Sequence, residues 1–190
     1  MCLRADVRPL KLALQATLDV PSPFMPHSGF LGLRSLLFNV GWYVGTTILA
    51  IAGSDSSGGA GIQADLKTIA MLGGYGMTAI TAVTAQNSVG VQGIAPMAGD
   101  MVADQIASCV SDIGVDAVKI GMLHDADIIA HVARALEGVR APIVLDPVMI
   151  ATSGAELVGP EAVAALRERL FPRAALITPN LPELAHLAGR

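Results

Sequence analysis

The chain has 190 residues, 53% of them apolar and only 15% charged, with a formal net charge of -4 at pH 7. That length suits one main domain, and the mild acidic excess leaves no basic footprint for nucleic acid. Two cysteines, Cys2 and Cys109, make neither a disulfide framework nor a metal-type spacing. So sparse a usage fits a reducing cytoplasm, and Cys109 reads as a small buried helix residue, with a reactive thiol as the alternative.

In chain order, the first stretch is irregular. Pro21, Pro23 and Pro26 punctuate it, and an apolar run from Phe30 to Val44 follows. A spanning helix needs ~20 mostly apolar residues, and Arg34 and Asn39 interrupt this run. No compact basic start with a cleavage site precedes it, so a signal peptide fits poorly. Residues 1–45 are read as an irregular extension, with a peripheral membrane anchor as the alternative, and residues 46–190 as the domain.

From Thr46 onward short apolar runs alternate with helical periodicity. Strands are predicted over 47–52, 77–84, 117–120, 143–145 and 175–177. Helices are predicted over 61–72, 101–113, 126–136 and 161–170. In the third helix Ile128, Ile129, Val132, Ala135 and Leu136 share one face. Asp100 is placed to cap the second helix, and Pro160 suits the first turn of the fourth. The pattern predicts an α/β fold: a mostly parallel sheet with helices on both faces.

Motif residues follow each strand: Gly53 and Asp55; Gln86 and Asn87; Gly121 and Met122; Asp146; Thr178, Asn180 and Glu183. Ligands of open α/β sheets bind outside the carboxyl ends of the strands. The first of these segments, Gly53-Ser54-Asp55-Ser56-Ser57-Gly58-Gly59-Ala60-Gly61, is rich in glycine. It is expected to bring bare backbone N–H groups up to a ligand, unless it is a plain structural turn. It fits neither the dinucleotide fingerprint nor the P-loop.

The string from Ile51 to Thr68, IAGSDSSGGAGIQADLKT, resembles the N-terminal signature of hydroxymethylpyrimidine/phosphomethylpyrimidine kinases. These are ribokinase-like enzymes of thiamine biosynthesis. TAVTAQN (81–87), VKIGML (118–123), VLDPVM (144–149) and LITPNLPE (176–183) match the same family in the same order. The resemblance covers Thr46 to the end and none of residues 1–45. It implies ATP-dependent phosphorylation of 4-amino-5-hydroxymethyl-2-methylpyrimidine and of its monophosphate. The alternatives are a pyridoxal-type kinase and an inactive pyrimidine-binding fragment.

The resemblance also implies roles. Gln86 reads the pyrimidine through an amide that both donates and accepts; its plain reading is an exposed loop amide. Gly53 and Ala60 add backbone contacts, and Met122 and Met149 apolar ones, where the plain reading is core. Asp65 is a pocket candidate or a first-turn acid favoured by the helix dipole. Asp146 lies near the nucleotide phosphates and metal, or merely ends a strand. Asn180 and Glu183 form the Asn-x-x-Glu motif, with Glu183 holding Mg²⁺ through water. A capping box gives the same spacing. Lys119 has no assigned role.

Family members end with a Gly-Thr-Gly segment that supplies the anion hole and the base. This sequence contains none, so no catalytic residue is assigned and a C-terminally truncated ribokinase-like fold is expected. The sheet edge this would leave invites association, with a homodimer as one form.

Overall fold

The computed structural model describes residues 46–149 and 158–188. The extension or anchor expected over residues 1–45 lies outside the described residues.

Strand β1 (Thr47–Asp55) opens the domain, and its central residues are fully buried. A run that is apolar on both faces belongs in the middle of a covered sheet. Helix α1 (Gly61–Met71) returns the chain to β2 (Tyr75–Asn87), which lies parallel to β1. Strand β3 (Gly90–Pro96) then turns back antiparallel to β2. There follow α2 (Gly99–Asp112), β4 (Ala117–Ile120), α3 (Ala126–Ala135), β5 (Ile143–Leu145), α4 (Pro160–Ala165), β6 (Leu176–Ile177) and α5 (Leu181–Leu187). The described strands form one sheet in the order β3-β2-β1-β4-β5-β6, parallel except for the β2–β3 pair.

The main core lies on one face. Leu49, Ile51, Val118, Ile120 and Leu145 pack there against Val102 and Ile106 of α2 and Ile128, Ile129 and Val132 of α3. Each such side chain contributes roughly 1.5–3 kcal/mol by leaving water. Asp125 starts α3 by accepting a hydrogen bond from Ile128 N at 2.8 Å. The opposite face carries α1, whose Leu66 lies over Gly76; a Cβ there would come within 2.5 Å of the leucine methyl. The expected α/β architecture with helices on both faces is therefore observed.

Several details differ. Strand β2 runs on to Asn87, and β3 was not expected, because Gly90 and Gly93 break the apolar alternation that signals a strand. Asp100 does not cap α2. The cap position is Ala98, and Asp100 sits inside the first turn. Asp65 lies beyond the first turn of α1, so the dipole reading fails for it. The fourth predicted helix changes winding after Ala165, through a π segment (Leu166–Leu170) and a 3-10 turn (Phe171–Arg173). Pro172, with no N–H to donate, falls in that last turn. Pro160 does occupy the first turn of α4. No helix among the described residues is long and apolar enough to cross a membrane.

Candidate active site

The glycine loop closes on itself. Asp55, 3% exposed at the end of β1, points its carboxylate into the loop. Oδ1 accepts from Ser57 N and Ser57 Oγ, both at 2.8 Å. Oδ2 accepts from Gly59 N at 2.9 Å and Ala60 N at 2.8 Å. Burial pushes the carboxyl up, but the bonds from Ser57, Ala60 and Gly59 outweigh burial and hold its pKa below the ordinary value. Around it Gln63 accepts from Asp55 N, and Lys67 Nζ donates to Gly58 O at 2.8 Å.

This corrects one expectation. The N–H groups of Gly59 and Ala60 are not bare; an internal anion already fills the concavity they form. The carbonyl of Ala60 also accepts from Ala64 N. A ligand meets Ala60 mainly as surface rather than as a free donor.

Gly53 and Met122 do come together. A Cβ on Gly53 would lie 2.5 Å from the Met122 methyl, so glycine is what lets the thioether lie across β1. Thr81 Oγ1 fixes Met122 by donating to its carbonyl at 2.7 Å. Gln86 sits at the end of β2 rather than in a free loop, and is half-buried. Its Oε1 is 3.3 Å from Thr84 Oγ1, but that hydroxyl has one proton and spends it on Ser54 O at 2.7 Å. The Gln86 amide is left with donor and acceptor available.

A charged group gathers on the α1 side of β4. Lys119, between the buried Val118 and Ile120, points away from the main core, and its Nζ meets Asp65 Oδ2 at 3.1 Å. Asp146 feels this pair and Glu183. Burial pushes its pKa up, Lys119 pulls it down, and Glu183 and Asp65 push it further up. Glu183 is 3% exposed and forms the capping box with Asn180: Glu183 N donates to Asn180 Oδ1 at 2.8 Å, and Asn180 N to Glu183 Oε2 at 2.9 Å. Glu183 Oε1 also faces Met149 N at 3.4 Å. Met149 itself is 3% exposed and lies in the interior.

Among the described residues no three acidic, cysteine or histidine side chains converge as a metal cage. Asp146 nevertheless feels two other carboxylates, Asp65 and Glu183, against one ammonium, Lys119. That donor set fits a cation that keeps its own waters, and does not fit one that must be stripped of them.

Asp146→Asn tests this charge surplus. A carboxyl whose pKa is raised in the folded state costs stability above that pKa and costs nothing once protonated in both states. The variant is expected to melt about 1–4 °C higher at neutral pH. The gain should vanish below the ordinary Asp range, and thermal melts at both pH values check it.

Sequence reasoning missed two contributors and one strained residue. Ser56 and Thr84 are common loop and strand residues whose partners are distant in the chain. His124 has φ 69°, the one non-glycine residue with positive φ among those described, and its buried Nδ1 has no partner. Nothing in the string Leu123-His124-Asp125 signals that strain. Two cavities of about 490 and 600 Å³ open around Glu137 and Gly138, before β5 and at the opposite edge from the motif residues. Arg173 lines the first and donates to Ala133 O and Leu136 O, closing the end of α3.

A mostly parallel sheet with these residues gathered at its carboxyl edge is the architecture of the ribokinase-like kinases. Comparison with solved structures agrees: phosphomethylpyrimidine kinase from Clostridium difficile 630 superposes with a TM-score of 0.71 at 46% identity, covering 76% of this chain and 63% of that one. The chain belongs to the phosphomethylpyrimidine kinase family, whose model matches residues 55–190. The hydroxymethylpyrimidine/phosphomethylpyrimidine kinase of Escherichia coli K12 is 54% identical over 140 residues, 73% of this chain and 53% of that protein. A pyridoxal kinase from Staphylococcus aureus, solved with pyridoxal, gives a TM-score of 0.69 at 38% identity and covers 77% of this chain and 53% of that one. The chain spans about half the length of the curated single-function kinases it matches.

Proposed function

We propose that the protein is an ATP-dependent kinase of 4-amino-5-hydroxymethyl-2-methylpyrimidine and its monophosphate in thiamine biosynthesis, acting in the cytoplasm. Residues 46–190 carry the acceptor half of its domain, and residues 1–45 form an extension. The observation that carries the reading is the Gln86 amide, held at the strand edge with donor and acceptor free. An aminopyrimidine offers the complementary pair, a ring nitrogen and an exocyclic amine.

Gly53, Ala60 and Met122 line the ring, joined by Met149 only if it leaves its interior place. Asp65 closes the pocket from α1. Bound Mg²⁺–ATP supplies the phosphoryl group and neutralises charge in its transfer. Glu183 would hold the ion through its waters, while Asp146 and Asn180, whose Nδ2 is unused by the cap, would lie at the nucleotide phosphates. The phosphomethylpyrimidine kinase match favours this acceptor over pyridoxal. The pyridoxal-bound neighbour supports the second reading.

Calorimetric titration of the chain with the pyrimidine and with pyridoxal separates the two. Gln86→Leu keeps the volume and removes both amide functions. Leaving the ligand's polar atoms unpaired costs roughly 1–3 kcal/mol, so pyrimidine affinity is expected to fall about 5- to 150-fold. Unchanged binding by a folded variant would return Gln86 to a surface amide and sink the acceptor assignment.

A further inference from the structure

The parallel pairing of β1 with β2 ends at Asp55 opposite Thr84. Ser56, one residue further on, reaches Gln86, two residues past Thr84. Its Oγ donates to Gln86 O at 2.7 Å and accepts from Gln86 N at 2.8 Å. One hydroxyl thus satisfies both backbone groups of a single residue. It does so where the β2–β3 pairing slips: Ala85 faces Gly93 but Gln86 faces Val91, leaving Gln92 as the extra residue of a bulge. Bulges re-aim side chains, and a bulge next to a strand end is free to change shape unless something holds it.

We propose that Ser56 is a positioning residue that clamps this bulge and so sets the direction in which the Gln86 amide leaves the sheet. The glycine loop and the end of β2 then act as one recognition unit. Asp55 holds the loop, the loop presents Ser56, and Ser56 fixes Gln86. The inference rests on the assignment of Gln86 to the pyrimidine. Ser56 touches no ligand in this scheme. It acts only through Gln86.

The test compares Ser56→Ala and Ser56→Thr in the 190-residue chain. Ser56→Ala removes both bonds, while Ser56→Thr keeps the hydroxyl. Hydrogen exchange at the backbone N–H of Gln86 is expected to accelerate about 10-fold in Ser56→Ala and to return towards wild type in Ser56→Thr. Pyrimidine affinity should fall about 5-fold in Ser56→Ala, recover in Ser56→Thr, and show no further loss when Ser56→Ala is added to Gln86→Leu. Unchanged exchange in Ser56→Ala overturns the clamp. Losses that add in the double variant overturn positioning through Gln86. A wild-type chain that does not bind the pyrimidine overturns the reading of Gln86, and this inference with it, whatever the exchange shows.

Discussion

Gly61→Ala is expected to lower the melting temperature by about 10 °C. Gly61 has φ 56°, and a Cβ there would lie 2.3 Å from the carbonyl oxygen of Gly53 and 3.2 Å from its carbon. The left-handed backbone costs an alanine roughly 1–2 kcal/mol, and the contact with fixed backbone adds about 1–3 kcal/mol of overpacking. For a chain of this size each kcal/mol moves the midpoint by about 2–4 °C. Two other glycines divide the effect. Gly73 has φ 78° with no atom within 4 Å of its added Cβ, so Gly73→Ala carries strain alone. Gly59 has no positive φ, and its nearest contact would be Asp55 Oδ2 at 3.6 Å, so Gly59→Ala should be nearly neutral. Thermal melts of the three variants should rank them in that order. An equal loss at Gly61 and Gly73 would show that the loop yields to the extra carbon.

The contact at Gly61 explains what was legible in the sequence and what was not. The element order could be read because long apolar strands and the Ile128-Ile129-Val132 face of α3 are local periodicities. The gathering of motif residues at one edge followed from that order and from the parallel sheet. Contacts between distant segments could not be read. The partner of Lys119 is on α1, Ser56 grips a residue thirty positions on, and the end of β2 is defined by β3, which has little strand signature of its own. The loop itself misled for a physical reason. Glycines next to a helix start suggest free N–H donors, yet an aspartate within the same nine residues folds back to use them. The capping box of Asn180 and Glu183 was legible because its two members lie three residues apart in the chain, and it leaves Asn180 Nδ2 unused.

Asp55 is where this internal anion becomes measurable. Asp55→Asn preserves size and one oxygen, but the new NH₂ group must face two donors that formerly met an oxygen. The pair from Ser57 and the pair from Gly59 and Ala60 cannot both be satisfied. Each unmade bond at a part-buried site costs about 1–3 kcal/mol, so a loss of roughly 2–4 kcal/mol is expected from a total that is typically about 5–15 kcal/mol. The pH dependence has a definite sign. The folded-state pKa of Asp55 lies below its ordinary value, so its contribution is complete above the ordinary Asp range and is lost as pH falls through the folded value. Wild-type stability should therefore drop on acidification below about pH 4. Asp55→Asn should start lower and lack that part of the drop, so the two curves converge in acid. Denaturant titrations across that range measure the gap directly. A gap that stays constant with pH would mean that Asp55 holds the loop by shape rather than by charge, and that its carboxylate is not the anion organising the glycine turn.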